Sequence, residues 1–162
     1  MTAEANARPA WTGQVATVLQ THKDRPGALL PILHAIQETL GYVPDEAVPV
    51  IAEELHLSRA EVHGVVTFYH EFRDHPPGRH VLKICEAESC QALGAEHLVE
   101  HVKGKLGCGM HETSPDGAVT LEPVYCLGNC ALSPALLCDG EVMGRVTKEK
   151  LDALLAELRR PA

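Results

Sequence analysis

The chain of 162 residues is poor in aromatic side chains (4%) and poor in cations, with 14 Lys and Arg against 22 Asp and Glu and a formal net charge of −8. No basic patch stands out, so it lacks the clustered Lys and Arg that neutralise phosphates, and no nucleic-acid partner is expected. Long apolar runs are also missing. The stretch from Ala28 to Leu33 is among the longest and falls far short of the roughly 20 residues of a membrane helix. No lipidation signal is visible, so no direct membrane insertion is expected. The opening Met-Thr-Ala-Glu-Ala-Asn-Ala-Arg has no apolar core of a secretory signal, which makes a cytoplasmic location the expectation and disulfides unexpected. Also absent are a phosphate-cradling Gly-x-Gly-x-x-Gly, a Walker loop, and a convincing nucleophile–base pair. A Cys-x-x-Cys pair is lacking too, which argues against thioredoxin-type thiol exchange. The 45% hydrophobic content is enough for one core or two small ones.

What is present is cysteine in a pattern. Four of the six fall into two spaced pairs, Cys85 and Cys90 in Cys-Glu-Ala-Glu-Ser-Cys, and Cys126 and Cys130 in Cys-Leu-Gly-Asn-Cys. Four thiolates satisfy a [2Fe-2S] centre with two on each iron, and the chemistry such a centre brings is electron transfer. Structural zinc also takes four cysteines and stays open as an alternative, giving a zinc-stabilised interaction module. Zinc knuckles, however, are usually tight Cys-x2-Cys loops around one ion, and these spacings are wider. Plant-type ferredoxin spacing is not matched. Cys138, in Ala135-Leu136-Leu137-Cys138, reads as a small core residue. Cys108, between Gly107 and Gly109, has no evident role. His97 and His101 stand one helical turn apart and could be ligands of a Rieske-type centre, though four spaced cysteines make them unnecessary.

The first half reads as helices. Thr12 to Lys23 is one, and Pro26 opens a second that carries Leu29, Leu30, Leu33, Ile36 and Leu40 and stops at Gly41. A third spans about Asp45 to Leu55, with Pro49 in its first turn. Ser58 caps a fourth in a capping box with Glu61, and that helix carries Val62, Val65, Val66, Tyr69 and Phe72. His75-Pro76-Pro77-Gly78 breaks the pattern and sets the expected boundary, residues 1–78 forming a helical docking lobe and 79–162 a second domain. There, His80 to Cys85 and Val119 to Tyr125 read as strands that each deliver the chain to a cysteine pair. Ala95 to Leu106 and Lys148 to Arg159 read as helices, and Asp139-Gly140 as the turn of a hairpin. Gly128, between the second pair, admits a positive φ that would turn backbone N–H groups towards sulfur.

These residues carry a resemblance. Cys-x4-Cys followed by Cys-x3-Cys, behind helices containing Thr67-Phe68-Tyr69, closely resembles the thioredoxin-like [2Fe-2S] subunits of respiratory complex I and of soluble NAD-linked hydrogenases and formate dehydrogenases. Three segments are most similar to the gamma subunits of cytoplasmic molybdenum-containing NAD-dependent formate dehydrogenases. They are Gly27-Ala28-Leu29-Leu30-Pro31-Ile32-Leu33-His34, Val62-His63-Gly64-Val65-Val66-Thr67-Phe68-Tyr69-His70 and Ala87-Glu88-Ser89-Cys90-Gln91-Ala92-Leu93-Gly94. The second pair lies in Tyr125-Cys126-Leu127-Gly128-Asn129-Cys130-Ala131-Leu132-Ser133-Pro134, where complex I forms more often have an acidic residue before the cysteine and Asn-Ala-Pro after it. The resemblance implies an α+β chain, an N-terminal helical bundle followed by a thioredoxin-like α/β [2Fe-2S] ferredoxin domain. It implies one cluster on Cys85, Cys90, Cys126 and Cys130, with FMN, NAD and a molybdenum cofactor on partner subunits. Those partners are a flavin- and NAD-binding subunit and a larger molybdenum and iron-sulfur subunit. On this reading the chain is an electron-transfer subunit with no turnover of its own.

Overall fold

The computed structural model describes residues 9–160 and divides into two compact units that meet at Pro76 and Pro77. The first unit is a four-helix bundle. Its helices are α1 (Thr12–His22), α2 (Leu29–Leu40), α3 (Ala47–Glu54) and α4 (Arg59–Phe68). Apolar residues spaced by three and four place Val15, Val18 and Leu19 of α1 against Ile32, Leu33 and Ile36 of α2, with Ile51 of α3 and Val62 of α4 completing the core. Ser58 caps α4 as its sequence predicts: its hydroxyl accepts from the Glu61 N–H, and the Glu61 carboxylate accepts from the Ser58 N–H at 2.8 Å. Two boundaries in this unit differ from expectation by three residues or more, the others by no more than two. Helix α2 begins at Leu29 rather than at Pro26, because Gly27 takes a left-handed φ of 66° that no helix can contain. Helix α4 ends at Phe68, where Tyr69 turns extended, so Tyr69 and Phe72 lie beyond the helix and stack edge-on at 6.2 Å between ring centres.

The second unit is a five-stranded mixed sheet covered on one face. Its strands are β1 (His80–Cys85), β2 (Glu112–Thr113), β3 (Val119–Val124), β4 (Leu136–Cys138) and β5 (Glu141–Met143), in the order β2-β3-β1-β4-β5. Strands β1 and β3 are parallel, paired from His80↔Val119 to Cys85↔Val124, and the other neighbours are antiparallel. A parallel pair needs a crossover, and α6 (Ala95–Leu106) supplies it. Leu98, Val99, Val102 and Leu106 of α6 and Leu151, Leu155 and Leu158 of α7 (Lys148–Leu158) pack on Leu82, Ile84, Leu121 and Leu136 of the sheet. On the opposite face, Lys83 and Glu122 stand directly across the parallel pair with Nζ and Oε2 3.3 Å apart. The hairpin turns through Asp139 (φ 49°) and Gly140 (φ 92°), the doubly left-handed turn that Asp-Gly favours. A short helix, α5 (Glu88–Ala92), begins between the two cysteines of the first pair and carries Cys90. Among the described residues no helix is long and apolar enough to cross a membrane.

Candidate functional site

The two cysteine pairs meet because their strands do. Cys85 is the last residue of β1, and its register partner Val124 is the last of β3, so both chains leave the sheet side by side at the same level. The first chain turns into α5, which carries Cys90 back beneath Cys85. The second runs through Cys126 and closes in a 3-10 turn over Cys130–Leu132. Cys85, Cys90, Ala95 and Ala135 then form a small buried cluster of their own, with Val124 and Leu127 packed against it.

The four sulfurs sit in unlike surroundings. Cys85 and Cys90 are buried, at 2% and 3% exposure, whereas Cys126 and Cys130 are exposed and hold their sulfurs 3.7 Å apart. Burial pushes the Cys85 thiol up, but the N–H of Ala87, the Cys90 thiol and the N–H groups of Cys126 and Leu127 together bring it below its ordinary value. Two of those donors belong to the other loop, which ties the pairs together. Cys130 is held above its ordinary value, first by the Cys126 sulfur and then by desolvation and by the charges of Cys90 and Cys85. Four thiolates crowded this closely repel one another, and bound cations relieve that repulsion. Gly128, at φ 73°, turns its N–H onto Cys126 Sγ at 3.4 Å, the arrangement its position suggested. Cys126 itself adopts φ 85°, a strained conformation for a residue with a Cβ that nothing in its sequence neighbourhood signals.

Among the described residues no group of three or more His, Cys, Asp or Glu side chains is placed to hold a metal ion. The thiols come as two pairs, which suits two irons taking two sulfurs each. Cys138 lies in the main core at 7% exposure, its thiol pushed up to about 11 by burial and then by Asp139 and Glu141. Cys108 packs against the edge of that core, and burial raises its thiol as well. The histidines considered as ligands stand elsewhere: His97 is exposed on α6, and His101 Nε2 is paired with Asp152 Oδ1 of α7 at 2.8 Å.

Comparison with known proteins places the chain in a family. The sequence profile of the thioredoxin-like [2Fe-2S] ferredoxin family matches residues 15–159. The E subunit of the NADH-quinone oxidoreductase of Pseudomonas aeruginosa is 38% identical over 134 residues, 83% of this chain and 81% of that protein. The NADP-reducing hydrogenase subunit HndA of Solidesulfovibrio fructosivorans is 31% identical over 144 residues, 89% of this chain and 84% of that one. A crystal structure of an NAD+-reducing [NiFe]-hydrogenase superposes with a TM-score of 0.66 at 21% identity, over 78% of this chain and 22% of the hydrogenase chain, which is a likeness of fold. The chain therefore belongs to the thioredoxin-like [2Fe-2S] ferredoxin family, and its cofactor is one [2Fe-2S] cluster.

Proposed function

We propose that Cys85, Cys90, Cys126 and Cys130 ligate the cluster, and that the chain is the electron-transfer subunit of a cytoplasmic NAD-dependent formate dehydrogenase, which converts formate and NAD to CO2 and NADH. The observation that carries the ligand set is the convergence of both pairs at the level ends of β1 and β3. The cluster, when bound, takes up and gives back one electron at a time, whereas NADH carries two as hydride, so a flavin on a neighbouring subunit has to divide the pair. This chain's own residues hold the inner sulfurs dry and leave the outer pair at the surface. Tyr125 and Leu132 stand exposed beside that pair, and Leu93 beside the end of α5, giving the rim an apolar character suited to a protein partner.

The helical unit serves docking in this reading. Phe68 is 72% exposed and Tyr69 43%, the two rings packed edge to face at 5.1 Å, in a chain with few aromatics. Tyr69 also lines an open, mainly apolar groove of about 470 Å³ together with Leu29, Leu55, Leu57, Val65, Lys23 and Arg25.

Formate as the donor is supported by the segments around Gly27–His34, Val62–His70 and Ala87–Gly94. The 38% identity to a quinone-reductase subunit favours the other assignment, a complex I-type or hydrogenase assembly. The ligand set is tested by alanine replacement. Cys85→Ala, Cys90→Ala, Cys126→Ala and Cys130→Ala should lose the cluster, while Cys108→Ala and Cys138→Ala keep it; a normal cluster spectrum in Cys126→Ala would sink the assignment. The assembly is tested by isolating the chain with its native partners. Co-purification with a flavin subunit and formate-dependent NAD reduction supports the reading, and a quinone- or hydrogen-linked complex replaces it.

A further inference from the structure

Ser133 lies just beyond the second cysteine pair and is 8% exposed. Its Oγ stands 3.4 Å from Cys90 Sγ, 2.9 Å from the Cys130 carbonyl oxygen and 2.9 Å from Ser89 Oγ. Ser89, next to Cys90, places its own hydroxyl 3.3 Å from the same Cys130 carbonyl. One hydroxyl from each loop therefore shares a carbonyl of the second loop, and one of the two reaches a sulfur of the first.

A hydroxyl has one hydrogen to donate and two lone pairs to accept with. While Cys90 is a free thiol, its S–H can donate to Ser133 Oγ, and Ser133 can spend its hydrogen on the Cys130 carbonyl. A sulfur bound to iron has no hydrogen and only accepts. The Cys130 carbonyl does not need Ser133's hydrogen, because it also receives the Ser133 N–H at 3.4 Å and the Ser89 hydroxyl. With Ser89 donating there, the Ser133 hydroxyl is free to turn its one hydrogen to Cys90 Sγ, so the carbonyl and the sulfur each keep a donor.

We propose that Ser133 is a positioning residue that sets the reduction potential by donating its hydroxyl hydrogen to the Cys90 sulfur, with Ser89 releasing it to do so. The inference rests on the four-cysteine ligand set. Reduction adds negative charge, part of which is carried by the ligand sulfurs, so a donor aimed at one of them stabilises the reduced form more than the oxidised one. Cys90 is buried, and a hydrogen bond there is less screened than one at the exposed pair.

The test uses the full chain carrying its cluster, with redox titration followed by electron paramagnetic resonance and resonance Raman spectra of the iron–sulfur stretches. Ser133→Ala should lower the ratio of reduced to oxidised protein at a fixed ambient potential on the order of tenfold, about 59 mV for one electron, and should shift the stretches assigned to cysteine sulfur. Ser133→Thr, which keeps the hydroxyl, should restore both. Ser89→Ala should fall between, since the Cys130 carbonyl then competes for the remaining hydrogen. An intact cluster with an unchanged potential in Ser133→Ala overturns the proposal, as does a Ser133→Thr protein that behaves like Ser133→Ala. Should Ser133→Ala hold no cluster, the decision passes to Ser89→Ala, where an unchanged potential overturns it. Failure of the ligand set itself is read separately, from a cluster that survives Cys126→Ala.

Discussion

Gly144 stands against the second ligand loop from the far side of the hairpin, and a methyl group there should disturb the site from 14 residues beyond Cys130. A Cβ at this position would lie 2.7 Å from the Leu132 Cβ, 2.8 Å from the Asn129 side-chain nitrogen and 2.8 Å from the Leu132 carbonyl oxygen. Ordinary carbon contacts are about 3.5–4.0 Å, so the overlap with Leu132 is about 0.8 Å or more. Leu132 cannot withdraw freely, because its carbonyl accepts from the Arg145 N–H at 2.5 Å. Asn129 and Leu132 bracket Cys130, so relief of the clash moves a ligand. The φ of Gly144 lies outside the left-handed region, which leaves contact as the source of the strain. Overpacking of this kind costs about 1–3 kcal/mol. At roughly 4–8 °C per kcal/mol for a domain of 60–100 residues, Gly144→Ala should lower the melting temperature of the sheet unit by on the order of 10 °C. Its iron and acid-labile sulfide per chain should fall as well. Gly104→Ala is the control: on α6, with no atom within 4 Å of the new methyl, it should stabilise by about 0.5–1 kcal/mol. A Gly144→Ala protein with the original melting temperature and full iron content would refute the argument.

Acid should act through Asp116. Its carboxyl accepts from the Ser114 hydroxyl, the Ala118 N–H and Arg159 Nε, and is lowered to about 2. A carboxylate depressed on folding stabilises above its unfolded pKa of about 3.9 and loses that contribution as pH falls through the folded value. Melting of the metal-free chain should therefore drop between about pH 4 and pH 2, and Asp116→Asn should flatten that part of the profile; an unchanged slope removes Asp116 as its source. In the helical unit, Ser58→Ala deletes the hydroxyl cap of α4 and should cost about 1 kcal/mol in denaturant titration, while the cluster spectrum stays as it was.

Much of the scaffold was legible because local chemistry fixed it. The Ser58–Glu61 box, the Asp139-Gly140 turn, the apolar stripe of α6 and the end of β1 at Cys85 each follow from neighbours within a few residues. An α+β chain with a helical bundle ahead of a thioredoxin-like sheet is what the structure and the family show. The thiols singled out by spacing are the four that the strand ends bring together. Contacts across the fold were not legible. Helix α5 is only five residues long and has too little periodicity to read. The burial of Cys90 and the exposure of Cys126 depend on the crossover. Ser133, Ser89 and Gly144 matter because residues more than ten positions away face them, and a single sequence does not display that pairing. At Pro26 the helix-start signal was outweighed by the backbone of the glycine next to it.

The sheet also has a front and a back. Strand β4 runs opposite to β1, so Leu136 pairs with Ile84 near the cysteines, whereas the hairpin tip at Asp139 binds His80 and Val81 at the start of β1. From His80 to Cys85 is five residue steps, roughly 16 Å of strand. The exposed Glu141, just past that tip, is thus a natural handle: a linker fixed there would present the cysteine end outward from a bead or an electrode. A spin label at the same place would turn the length of one β-strand into a ruler against the reduced iron.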